Sequence, residues 1–125
     1  MKKYNIKTIE ELQVIDNLFY INKTFINKKT KEKIYKFVYE PRAQLIGLGD
    51  KYKDFGFFSV KVDNKWTITE ITTGCEVYQS KVTESKLNAI NSTLKLLNEK
   101  FKNSDSFWFY LNNKLNLVGL SPRFR

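Results

Sequence analysis

The sequence predicts an α+β fold: an antiparallel sheet of about five to seven strands, a short N-terminal helix, and one long amphipathic helix packed on a face. Three observations carry this. Aromatic and β-branched runs recur between short polar turns. The connections between those runs are too short for parallel crossovers. One uninterrupted helical stripe spans Leu87 to Phe101. With 125 residues the chain is expected to form a single domain, 1–125.

Thr8-Ile9-Glu10-Glu11 reads as a capping box, and Ile9, Leu12, Ile15 and Phe19 follow at helical spacing, predicting a helix from 8 to about 17. Leu18 to Ile26 and Ile34 to Tyr39 are β-prone and flank the polar stretch Asn27-Lys28-Lys29-Thr30-Lys31, so they read as a hairpin. Pro41 ends the second strand, and Gln44 to Leu48 is a candidate short strand. Phe57 to Val62 and Trp66 to Ile71 flank Asp63-Asn64, a pair suited to a tight turn, and Cys75 to Gln79 continues the meander after Thr72-Thr73-Gly74. From about Thr83 to Lys102, Leu87, Ile90, Leu94, Leu97 and Phe101 form one apolar stripe. Phe107 to Leu111 and Leu115 to Val118, separated by Asn112-Asn113, predict a final hairpin, because Asn tolerates left-handed backbone.

The composition excludes several chemistries. The chain has no His and 1 Cys, so a Ser-His-Asp or Cys-His arrangement and a His/Cys zinc site are excluded, as is an internal disulfide. Cys75 reads as a buried structural thiol on a strand. Asp50 and Asp54 are separated by Lys51 and Lys53, which fits a solvated loop better than a hard-cation site. Gly47-Leu48-Gly49 lacks the third glycine and the following helix that a phosphate loop requires. Asp63-Asn64-Lys65 and Glu84-Ser85-Lys86 match the short half of a nuclease motif, but one falls in a predicted turn and the other at a helix start. The expectation is therefore a protein that is not an enzyme and carries neither cofactor nor metal.

Binding remains. The net charge is +9, and the excess lies at the two ends of the chain. Such a field concentrates anions. Nineteen of the 22 basic residues are Lys, alongside twelve Asn and two Ala, so part of the excess reads as codon bias on a solvated surface. The three arginines, Arg42, Arg123 and Arg125, are better candidates for specific contacts, since a guanidinium offers a rigid fork for phosphate. Among the aromatics, Trp66 reads as core, whereas Trp108, Tyr110 and Tyr78 are the candidates for stacking on a base. Aromatic excess on the Phe107–Tyr110 run also fits a homo-oligomer interface.

The leading expectation is a non-catalytic binding protein of phage or mobile-element type. It would capture an anionic nucleotide-like ligand, for instance a cyclic-nucleotide defence signal, through those Arg and aromatic side chains. The alternative is a nucleic-acid-binding or anti-CRISPR-like inhibitor protein acting through a basic patch, Lys28, Lys29, Lys31 and Lys33. A third reading is a protein-interaction module such as an immunity protein. With neither an apolar span nor a leader-like start, the expected setting is cytoplasmic, without a membrane partner.

Overall fold

The computed structural model describes residues 3–124. It is α+β, with six strands in two antiparallel sheets and two α-helices. Strands β1 (Tyr20–Ile26) and β2 (Lys33–Tyr39) form a two-stranded ribbon. Strands β3 (Gln44–Ile46), β4 (Phe57–Val62), β5 (Lys65–Glu70) and β6 (Glu76–Gln79) form a four-stranded meander in sequence order. Helices α1 (Lys86–Lys100) and α2 (Ser104–Val118) follow.

The β4–β5 turn behaves as its sequence predicts. Asp63 and Asn64 take φ of 53° and 60°, the left-handed pair that a two-residue hairpin needs to match strand twist. Lys61 consequently pairs with Trp66 and Ser59 with Ile68. Helix α1 starts later than its periodicity suggests. Thr83 and Glu84 stay outside it, and Ser85 is the cap, its hydroxyl accepting from the Asn88 N–H at 3.1 Å. Its most buried positions are Ala89, Thr93 and Leu97, while Leu87 in the first turn is exposed.

Two expected elements differ. The N-terminal helix is reduced to a single 3-10 turn, Ile9–Glu11. The Thr8 hydroxyl makes no capping bond, and the chain leaves Leu12 extended. It then pairs Val14 with Phe124, and the Ile15 N–H donates to the Arg123 carbonyl at 2.7 Å. Tertiary pairing outcompetes a helix too short to sustain itself.

The expected final hairpin is helix α2. Asn103 caps it in a reciprocal box with Ser106, and Phe107, Trp108, Leu111 and Leu115 form its buried stripe. Asn112 and Asn116 sit one turn apart and make no turn. The Asn112 carboxamide oxygen accepts from the Ile6 N–H at 2.8 Å, and the Asn116 oxygen accepts from the Tyr4 N–H at 2.7 Å. Their amide groups donate back to the Ile6 and Tyr4 carbonyls. Side chains four residues apart on a helix rise about 6 Å, close to the two-residue repeat of an extended chain. The two asparagines thus act as a ladder for the N-terminal segment.

The meander is covered on both faces, which the expectation of one helix on one face did not contain. Phe57 and Ile68 point into a core with Tyr52, Phe107, Leu111 and Leu115. Phe58, Val60 and Ile71 point the other way, into a second core closed by Phe124, Phe19 and Ile21. The ribbon base and both chain ends form that second layer.

Candidate functional site

Among the described residues, the predicted site residues do not converge. Arg42 is mostly exposed and is held by the buried Glu40 carboxylate, which accepts from its Nε at 2.7 Å and lies 2.6 Å from its Nη2. Arg123 serves the second core: its guanidinium lies over the Phe19 ring at 4.5 Å and donates to the Leu18 carbonyl at 3.3 Å. Arg125 lies outside the described residues. Trp108 is core, 8% exposed and 4.4 Å from the Phe55 ring, so it is not a stacking platform. Tyr78 and Tyr110 line two separate recesses. The recess at Tyr78 sets Lys81 and Lys95 against Glu76 and Glu99, so its charge is balanced. In the recess at Tyr110, beside Cys75, Lys23 and Lys114 face Glu76. Burial raises the pKa of both the Cys75 thiol and the Tyr110 phenol, which leaves the pair as neutral donors. Lys28, Lys29, Lys31 and Lys33 are exposed at the tip of the ribbon and line none of these recesses.

The structure instead gathers cations around Trp66. The register that pairs Lys61 with Trp66 places both beyond the core end of the helix-facing surface of the sheet. The start of α1 closes the other side. Lys61 Nζ and Lys86 Nζ stand 5.7 Å and 5.9 Å from the indole centroid, within cation–π range. Lys86 also donates to the Gln44 carboxamide at 3.1 Å. Arg42, Gln44 and Ser59 continue the groove past Lys61 and Trp66. On the α1 side the recess has a volume of about 440 Å³, within the range of small-molecule sites, roughly 300–1,000 Å³.

The indole is rigidly mounted. Its Nε1–H donates to the Glu84 carbonyl at 2.9 Å, and the Trp66 N–H donates to the Ser80 hydroxyl at 2.9 Å. Glu84 lines the same recess, but its carboxylate is already engaged by neighbouring hydroxyls. It accepts hydrogen bonds from the Ser80 and Tyr78 hydroxyls. Those two donors hold its pKa below the ordinary glutamate value, and the same bond raises that of the Tyr78 phenol. Glu84 is therefore a brace between β6 and the start of α1. The sequence reading missed this groove because only strand register and the α1 start bring Lys61, Trp66 and Lys86 together. The alternation of Lys61 and the aromatic opening β5 was the one available signal.

No metal-type grouping of three His, Cys, Asp or Glu side chains occurs among the described residues. Neither does a helix long and apolar enough to cross a membrane. Of the two matches to the short half of the nuclease-like pattern, Asp63 sits in the β4–β5 turn and Glu84 is the brace just described. No family model matches the chain, and no curated protein or solved structure does so either.

Proposed function

We propose that this protein is a non-catalytic binder of an anionic, nucleotide-like ligand, and that the Trp66 groove is where it binds. The single observation that carries the reading is the grouping of Lys61, Lys86 and Arg42 around a partly buried, hydrogen-bonded indole. A planar base stacks on an indole, and ammonium and guanidinium groups at its edge neutralise phosphate. The arginine–aromatic pairing expected from composition is retained in kind, but its residues change: Arg42 stays, Trp66 replaces Trp108, and lysines supply the remaining charge.

A free nucleotide ligand implies a cytoplasmic setting, and capture of a defence signal by a phage or mobile-element protein is the biological role that this chemistry suits. The homo-oligomer belongs to the same reading. The outer face of α2, where Phe109 and Leu117 are exposed, is the surface that would carry it, and light scattering over a concentration range measures it.

Calorimetry with mono-, di- and cyclic nucleotides tests the function, with tryptophan emission as a second readout. One nucleotide class is expected to release heat and to change Trp66 emission, while Lys86→Ala and Lys61→Ala each weaken binding roughly tenfold, as loss of a charge-assisted contact should. Absence of heat with every nucleotide ends the proposal.

A further inference from the structure

The ribbon is a second basic surface, unconnected with the Trp66 groove. From Lys23 through Ile34 every residue is exposed; Lys23 and Thr24 still border the recess at Tyr110, and from Phe25 outward the ribbon stands clear of the body. Six lysines, Lys23, Lys28, Lys29, Lys31, Lys33 and Lys36, face one acid, Glu32. The only ion pair among the described residues is Arg42 with Glu40, so none of these lysines is neutralised. Lys23 and Lys36 lie directly opposite one another across the strands. Like charges in that position destabilise a ribbon unless an anion lies over them.

The tip is ordered rather than slack. Asn27 accepts from the Lys31 N–H at its carbonyl and from the Lys29 N–H at its side chain, and it donates its own N–H to the Glu32 carbonyl. Between the lysines stand Phe25 and Ile34, a cross-strand pair, and Ile26.

We infer that the distal ribbon enters the major groove of duplex DNA. From the Phe25–Ile34 pair through Ile26–Lys33 to the Asn27–Glu32 bond are three levels, which at about 3.4 Å each project roughly 10 Å, enough to span a groove roughly 8.5 Å deep that admits a two-stranded ribbon. The flanking lysines meet the phosphates on either side. The apolar side chains between them suit contact with thymine methyl groups. The deep, narrow major groove of duplex RNA does not admit such an element. The inference is independent of the nucleotide reading and involves different residues.

Fluorescence anisotropy with a labelled DNA duplex of about 20 base pairs, set beside the single strand and an RNA duplex of equal length, tests it. Duplex DNA is expected to bind tightest, with log K falling against log salt by about 0.9 for each phosphate contacted. The variant Lys28→Gln/Lys29→Gln/Lys31→Gln/Lys33→Gln is expected to bind at least tenfold more weakly, with a shallower salt slope and an unchanged unfolding midpoint, because these exposed side chains make no hydrogen bond, ion pair or ring contact among the described residues. Three results would each overturn the inference: no duplex binding at low salt, equal binding of duplex RNA or single strand, or a variant that binds like the wild-type protein. None of these bears on the nucleotide calorimetry.

Discussion

Glu70 shows how burial governs a single carboxylate. It is 1% exposed, has no cationic partner among the described residues, and accepts from the backbone N–H and hydroxyl groups of both Thr72 and Thr73, shaping the β5–β6 turn. The four donors favour the charged form, yet burial outweighs them and raises the pKa. The folded chain therefore retains a proton at pH values where the unfolded chain has released it. This contribution to stability is largest below the ordinary glutamate value and declines as pH rises through the shifted one. Glu70→Gln stays neutral, so urea unfolding between about pH 4 and pH 8 should show the variant gaining on the wild-type protein as pH rises. Parallel curves would refute this account. Gly74, in the same turn, is a second sensitive residue. Its φ is +67°, and an added Cβ would lie 2.8 Å from the Asn22 nitrogen and 2.9 Å from the Tyr20 carbonyl oxygen. Gly74→Ala is expected to cost about 2 kcal/mol or more in chemical denaturation, combining a left-handed backbone with a clash against rigid main chain. An unaltered midpoint would mean that the ribbon does not dock there.

At the scale of elements, α2 was the hardest to read and is the most informative. Phe107-Trp108-Phe109-Tyr110 resembles a strand by aromatic content, and Asn112-Asn113 resembles a turn. Two signals pointed the other way. Phe107, Leu111 and Leu115 repeat every four residues, and no β-branched residue occurs between Ser104 and Val118 until Val118 itself. Asn103 before Ser104-Asp105-Ser106 is also a cap, and Asn103→Ala should cost about 1 kcal/mol. Asn112→Ala should do more than lower stability. It removes both bonds to Ile6, so amide exchange at Ile6 should accelerate while exchange within the β4–β5 pair is little changed. Equal protection at Ile6 in the variant would disprove the ladder. The meander, by contrast, was legible nearly residue by residue, because alternation and a two-residue turn are local properties. The Trp66 groove was not, since its cations come from residues 19 and more apart that only the register unites.

For the whole molecule, the decisive feature is that both faces of β4 are covered. Phe57 and Phe58, adjacent in sequence, are each 0% exposed and belong to different cores. In a sheet with one solvated face, one of them would be cheap to truncate. Here Phe57→Ala and Phe58→Ala should each cost roughly 3–5 kcal/mol, and thermal unfolding or denaturant titration of the two variants compares them directly. A loss of less than 1 kcal/mol at either position would show that one layer is not packed. The same arrangement explains the arginines. Arg123 became part of the second layer, laid over Phe19, and Arg42 was bound to Glu40 where β2 ends.

The amino-acid sequence by itself determined the meander, its tight turn, the existence of α1 and the absence of His-dependent chemistry and of an internal disulfide, because each follows from spacing within about a dozen residues or from composition. The tertiary structure alone decided that the N-terminal stretch is extended, that the last aromatic run is helical, and that two lysines and Arg42 gather around the Trp66 indole. Each of those depends on what lies across the core: Phe124 beside Val14, Asn112 beside Ile6, Lys86 beside Trp66. Burial and partner geometry there outweigh local propensity by more than the fraction of a kcal/mol per residue that propensity supplies.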